Sequence, residues 1–188
     1  MTSRYRAVSQ SALMAGLAVV IAMPGVCVAG PKATEAGRAS ATVVEPIRAA
    51  PLQDLSFGSV TLRTAEGGSV EISPDGSAPQ YRDGSGPACP PESQCAARRG
   101  SFEFRGEPNR TYRLELPDLL EVRGIVTGAT LLVGGITTRS DSGSGQPGTG
   151  QLDTAGRDIL FVGGTLELPA GTAADRFRAN LPITVSYD

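Results

Sequence analysis

The strictest alternation of apolar and polar residues in this chain runs from Arg176 to Asp188. A period of two is typical of a half-buried strand, because successive side chains leave a strand on opposite faces. Five large apolar residues of one face are therefore expected to point into the core: Phe177, Leu181, Ile183, Val185 and Tyr187. The other edge of this strand must be paired by an earlier segment or by a neighbouring chain.

Shorter segments of the same kind recur along the chain. The candidate strands are residues 39–47, 55–62, 69–73, 101–105, 111–116, 119–126, 129–138 and 158–168. The alternation slips by one residue at Gly58-Ser59, which predicts a β-bulge. Residues 73–100 and 140–150 are rich in Gly, Pro, Ser and Asp and are expected to be surface loops. With many short strands and no helical periodicity, the pattern predicts an all-β, immunoglobulin-like (Ig-like) antiparallel β-sandwich.

The first 29 residues have the pattern of a secretory signal peptide. Arg4 and Arg6 precede an apolar stretch at residues 12–23. As a helix this stretch would be about 18 Å long, too short for the roughly 30 Å hydrocarbon core of a bilayer. We expect cleavage after Ala29 and export to the periplasm, the cell surface or the extracellular space.

The mature chain is expected to be a single domain, residues 30–188. Removing the two leader arginines from a chain with 17 basic and 19 acidic residues leaves a formal charge of −4. This balance argues against nucleic acid as a partner, and we expect no membrane insertion after cleavage.

The chain has no histidine, which excludes Ser-His-Asp and Cys-His catalytic groups. Five carboxylates lie near one another in sequence and are interpreted as a solvated face: Glu103, Glu107, Glu115, Asp118 and Glu121. A hydrolase that uses such carboxylates is the weakest of three functional hypotheses. We predict that the protein is not an enzyme and has no catalytic residues, cofactor or metal.

Two of the three cysteines, Cys89 and Cys95, remain after cleavage and are predicted to form one intramolecular disulfide within a loop. The ring is small, so its stabilisation of the fold is expected to be modest. Cys27 lies in the leader, and its lipidation is the alternative to cleavage after Ala29. The residues Pro24-Gly25-Val26 that precede it match a lipidation site poorly.

Seven segments, taken in order, resemble a bacterial secreted family, the domain-of-unknown-function family 4402. They are residues 41–47, 54–58, 68–76, 102–112, 114–117, 162–168 and 181–187. The chain departs from the family pattern at residues 81–99, where the cysteine loop and Arg98-Arg99 lie. The family pattern is similar to that of fimbrial and spore-coat-U-like pilins, whose sandwich lacks its last strand.

The resemblance implies a fimbria- or pilus-like structural subunit of the cell surface that assembles by strand addition. Its implied partners are a periplasmic chaperone, an usher and like subunits. Residues 30–38 hold few apolar side chains, and the alternating Ala39, Ala41 and Val43 are expected to serve the domain's own first strand. The chain is therefore expected to accept a strand more readily than it donates one, or to close its own sheet. The alternative function is a free-standing binding module that recognises carbohydrate or protein through its loops.

Overall fold

The computed structural model describes residue 38 and residues 40–63, 65–142 and 148–188. Residues 42–188 form one compact unit, to which the following description applies. The predicted signal peptide, its cleavage site and Cys27 lie outside the described residues. No helix in the described ranges is long and apolar enough to cross a membrane.

The described part of the chain is all-β, with thirteen strands and no helix. In chain order these are β1 (Arg48–Gln53), β2 (Val60–Leu62), β3 (Gly68–Ile72), β4 (Gln80–Asp83), β5 (Ser85–Pro87), β6 (Gly100–Arg105), β7 (Thr111–Glu115), β8 (Leu119–Gly124), β9 (Thr130–Ser140), β10 (Thr149–Gln151), β11 (Arg157–Leu168), β12 (Phe177–Arg178) and β13 (Thr184–Tyr187).

Eight strands form the larger sheet. Six of them follow the order β1-β6-β11-β9-β8-β12, and the other two, β3 and β4, lie off this path. The 12-residue strand β11 is its centre. The first half of β11 pairs with β6 and the second half with β3, which in turn pairs with β4. The exchange of partner falls at Gly163-Gly164, where the main-chain oxygen of Ile72 leaves no room for a Cβ atom on Gly163.

Two smaller sheets form the second layer, one ordered β10-β7-β13 and the other made of β2 and β5. All pairings are antiparallel.

The core divides into two groups of buried side chains. Cluster 1 consists of Val70, Val122, Leu131, Val133, Leu166 and Leu168. Cluster 2 consists of Phe104, Tyr112, Leu114, Leu152, Leu160 and Val162. Cluster 2 contains side chains from both layers. Tyr112 and Leu114 come from β7 of the second layer, and Phe104 comes from β6 of the larger sheet. The predicted all-β antiparallel sandwich is confirmed.

The prediction of a first strand at residues 39–47 is wrong. The described residues there lie outside any strand, and the first strand is β1, which pairs with β6 at the edge of the larger sheet. All six residues of β1 are exposed, so its sequence carries no alternation that could reveal it. Proline has no main-chain N–H to donate. Pro51 is tolerated in an edge strand because one side of such a strand has no neighbouring strand to accept a hydrogen bond.

The prediction of one continuous strand from Arg176 to Asp188 is also wrong. Two short strands take its place: β12 pairs with β8 of the larger sheet, and β13 pairs with β7 of the second layer. Between them the chain passes from one sheet to the other through a segment that contains Pro182, which has no main-chain N–H to donate. The alternation itself persists, with the five large apolar residues half-buried and their polar neighbours exposed, although Ala179 is exposed as well.

The first expected surface loop, residues 73–100, contains two strands, β4 and β5. These strands are short and mostly polar, so they show no apolar alternation that would have predicted them. The second expected loop, residues 140–150, begins at the end of β9 and contains the first residues of β10. Residues 143–147 lie outside the described part.

Candidate functional site: an apolar groove over cluster 1

A groove of about 1520 Å³ opens over cluster 1, between β2 and residues 172–181. Its floor is the inner face of the larger sheet, where alternate residues of β8, β9 and β11 point inward. They are Leu120, Val122, Leu131, Val133, Leu166 and Leu168. Cluster 2, by contrast, is closed by side chains from β7 and β13. The sandwich is therefore filled at one end and open at the other.

The first wall of the groove is residues 54–60, with β2 at its end. Phe57 and Val60 lie half-buried against cluster 1. Gly58 has a φ of +72°, and a Cβ atom there would collide with the main chain at Cys95–Ala97. The phase slip that predicted a bulge at Gly58 therefore marks a left-handed turn pressed against another segment.

The cysteine loop supports this first wall. Cys89 and Cys95 form the predicted disulfide, with their Cα atoms 6.0 Å apart. The Ser59 amide donates a 2.8 Å hydrogen bond to the Cys95 carbonyl, and the Ala88 amide donates a 2.9 Å bond to the Ser59 carbonyl. The disulfide-bonded loop thus holds the wall by main-chain contacts on both of its sides. It also lines the groove directly through Cys95.

The second wall is residues 172–181, in which Phe177 and Leu181 carry the large apolar side chains. This wall is attached to the β8–β9 hairpin by Asp175. The Asp175 carboxylate accepts hydrogen bonds from the amides of Val126 (3.1 Å) and Thr127 (2.7 Å), and from the Thr127 hydroxyl (2.5 Å). The hydrogen bonds from Thr127 are the main cause that holds the pKa of Asp175 well below its usual range.

Two strands whose residues line the groove have a free edge. Among the described residues, β2 pairs only with β5, and β12 pairs only with β8. An extended peptide could present main-chain groups to such an edge while its alternate side chains enter an apolar pocket. The arrangement of edges and floor is that of a sandwich with room for one more strand over cluster 1.

The five apolar residues of the terminal segment divide between the two ends of the core. Phe177 packs on cluster 1, whereas the other four pack on cluster 2. Only Phe177 and Leu181 line the groove. Tyr187 is fixed at its hydroxyl, which accepts a 2.7 Å hydrogen bond from the Glu107 amide and donates a 2.8 Å bond to the Glu45 carbonyl.

A second polar site lies under cluster 2, around the buried carboxylate of Asp158. It accepts hydrogen bonds from Tyr112 (2.6 Å) and Ser140 (2.5 Å), and from the amide and hydroxyl of Ser142. Burial, followed by the hydrogen bond to Asp158, raises the pKa of Tyr112. Since this carboxylate is fully engaged, the network binds the base of the 140–150 loop to β7 rather than offering a reactive group.

The acidic residues singled out in the sequence do not form a metal-binding group. Glu115, Asp118 and Glu121 are exposed, while Glu103 and Glu107 are half-buried and face Arg105 and Arg110 in ion pairs. Within the described ranges, no group of three or more His, Cys, Asp or Glu side chains is placed to hold a metal ion.

The sequence analysis missed Asp175 and the whole of the groove. Asp175 has the surroundings of an ordinary turn residue, and its partners lie 48 and 49 positions away along the chain. The slip at Gly58 was the one local signal, because it marked where the first wall turns.

One family model matches the chain over residues 47–187, that of the domain of unknown function DUF4402. No curated protein and no solved structure matches the chain. The matched range begins one residue before β1 and ends with β13, so it contains both groove walls and every described strand. Residues 42–46, which precede β1, lie outside it.

Proposed function

We propose that this chain, which belongs to the DUF4402 family, is an exported structural subunit of fimbria-like fibres that assembles by strand addition. In this function each subunit accepts an extended segment of a neighbouring polypeptide in the groove over cluster 1. The observation that carries the proposal is the combination of an apolar floor with the free edges of β2 and β12.

The chemistry of the groove favours a strand as its occupant. Its floor is built of aliphatic side chains at strand spacing, and along its borders β2 and β12 each have one edge without a partner strand among the described residues. An exposed apolar surface with open strand edges is a liability in water and tends to be covered. A β-strand satisfies both needs, because its alternate side chains fill the floor while its backbone pairs with an edge.

A second copy of the chain is the occupant that we propose. Residues 42–46 lie outside every strand, and Val43 is 95% exposed, with Val44 also exposed. These apolar side chains make no contribution to either core cluster of their own subunit. Residues 42–44 are thus available for donation, although the sequence had suggested that their own sheet would need them, while the Glu45 carbonyl accepts a hydrogen bond from the Tyr187 hydroxyl. An assembly chaperone would cover the groove before the donor arrives.

Substitution of Val43 tests this function. Val43→Asp should abolish oligomers that survive in an unboiled gel and in size-exclusion chromatography, because a charge cannot enter the apolar floor. Thr42→Asp adds the same charge one position earlier, on the opposite face of an extended segment, and should still assemble. Because Val43 is exposed in the single subunit, neither substitution should lower the unfolding temperature of the monomer. A wild-type protein that stays a monomer at all concentrations would contradict the proposal.

The alternative is a free-standing exported binding module. It is favoured by the compactness of residues 42–188, whose thirteen strands fold around two core clusters within one chain. Under this alternative the purified domain is a stable monomer, and ligands bind its surface with no effect of substitutions in the groove.

A further inference from the structure

The register of the larger sheet brings together three arginines that are far apart in sequence. Arg48 of β1 lies directly opposite Arg105 of β6, and Arg105 lies directly opposite Arg157 of β11. Residues directly opposite one another in antiparallel strands project from the same face, with Cβ atoms about 4.5–5.5 Å apart. The three arginine side chains therefore leave the same face side by side on three neighbouring strands, and they are called here the arginine row.

The arginine row lies on the outer face of the sheet, away from the groove. Phe104, which precedes Arg105, and Leu160 of β11 are fully buried on the inner face. Arg105 alternates with Phe104 and so projects outward, and its side chain is 63% exposed. Arg48 and Arg157 are exposed as well. The row is therefore open to a ligand from solvent whatever occupies the groove.

The positive charge of the row is only partly balanced. Arg105 forms a 3.0 Å ion pair with Glu103. Arg48 and Arg157 form no ion pair with any described residue within 4.0 Å. Like charges directly opposite on neighbouring strands destabilise a sheet. The fold thus maintains two unneutralised guanidinium groups beside a third, an arrangement that a bound anion would relieve.

We propose that the arginine row binds an acidic polysaccharide. Guanidinium groups pair with carboxylates and sulfates through two parallel hydrogen bonds, which suits the acidic groups of such a chain. Strands lie about 4.8 Å apart, so the row presents three positive groups over roughly 10 Å on an open surface. An extended polymer with repeated anionic groups fits this spacing better than one small ion.

The surroundings of the row limit what can bind. A depression of about 310 Å³ beside Arg157 is lined by the carboxylates of Glu103, Asp141 and Asp153. These acids repel an anion from that side, so the polymer is expected to run from Arg157 toward the free edge of β1. The narrow strip and the expected net charge of −4 disfavour nucleic acid, which needs a broad basic surface.

Binding to immobilised heparin and polygalacturonate tests the proposal, with neutral dextran as the blank. The Arg48→Gln, Arg105→Gln, Arg157→Gln variant should bind the acidic polymers at least tenfold more weakly than wild type. A matched variant, Arg63→Gln, Arg82→Gln, Arg113→Gln, loses the same charge from scattered positions and should bind within twofold of wild type. Equal losses in both variants, or no wild-type binding at low salt, would overturn the proposal. Equally tight binding of single-stranded DNA would overturn the assignment to polysaccharide.

A stability measurement separates loss of the site from loss of the fold. Heparin should raise the unfolding temperature of wild type and of the matched variant, because a ligand that binds the native state stabilises it. It should leave the row variant unchanged. If the triple substitution prevents folding, Arg48→Gln alone, on the exposed edge strand, should weaken binding at least threefold. Unaltered binding by that folded variant would contradict the role of the row.

Discussion

The hydroxyl of Tyr112 donates a 2.6 Å hydrogen bond to the buried carboxylate of Asp158, and the two side chains join the two layers of the sandwich. Tyr112→Phe should lower the free energy of unfolding by about 1–3 kcal/mol, since it leaves a buried charge with one donor fewer. Urea denaturation at neutral pH measures this. Tyr81→Phe is the control. The hydroxyl of the half-buried Tyr81 makes no hydrogen bond to any described residue, so removing it should cost less than about 0.5 kcal/mol.

The same pair predicts a loss of stability in alkali. Burial and Asp158 raise the pKa of Tyr112 in the native state, whereas an unfolded tyrosine ionises near pH 10. Its contribution is therefore complete below about pH 10 and declines as the pH rises further, because only the unfolded state releases the proton. Unfolding curves recorded above pH 10 should show this decline for wild type and a smaller one for Tyr112→Phe. Parallel declines in the two proteins would rule out this tyrosine as the cause.

The attachment of the second groove wall should weaken in acid. The pKa of Asp175 is lowered in the folded protein, chiefly by Thr127. Its stabilisation is therefore present above the unfolded pKa of about 3.9 and is lost as the pH falls through the lower native pKa. Asp175→Asn should reduce stability at pH 7, and its difference from wild type should shrink below about pH 4. Asp118→Asn, at an exposed position, should change stability little at either pH. A pH-independent difference for Asp175→Asn would contradict this role.

The disulfide should matter more for the groove than for the fold. Six positions separate Cys89 from Cys95, so the Cys89→Ser, Cys95→Ser protein should still fold with a loss of about 1–3 kcal/mol. Because the loop supports the first wall through Ser59, the same protein should assemble poorly after its stability has been restored with an osmolyte. Free thiols in the oxidised native protein, or unaltered assembly of the double variant, would count against this account.

The terminal segment offers a matched pair of substitutions. Ile183 packs on cluster 2, so Ile183→Asp should cost about 2–4 kcal/mol by exposing apolar area and placing a charge at its margin. Ser186→Asp introduces the same charge opposite Arg113 on the exposed face and should lie within about 0.5 kcal/mol of wild type. Denaturant titration of the two proteins compares them directly. Equal costs at the two positions would show that this segment has no buried face.

The sequence predicted those features that alternation records, namely which side chains face the core. Residues 111–116 were recognised because Tyr112 and Leu114 are buried between exposed neighbours, and β7 occupies nearly that range. Alternation does not record which strand is the partner, so the change of sheet between β12 and β13 was missed. It also misled at Val43, which alternates with its neighbours although no surface of its own subunit covers it.

The groove was beyond prediction for a different reason. It arises where edges of β2 and β12 stay open after distant segments have folded together, and no local pattern encodes an unpaired edge. Asp175 and the arginine row are likewise products of register, since their members meet only when strands far apart in sequence align.

Thermal unfolding with a donor peptide tests the central claim most directly. The monomeric Val43→Asp protein is mixed with a peptide of the wild-type residues 40–50, and its unfolding temperature is measured as the peptide concentration rises. The account predicts a concentration-dependent increase that Leu120→Arg, on the groove floor, abolishes, while Leu119→Arg, on the outer face of the same strand, leaves it intact. An unfolding temperature that stays constant in the folded Val43→Asp protein, or an increase that survives Leu120→Arg, would contradict strand addition in this groove.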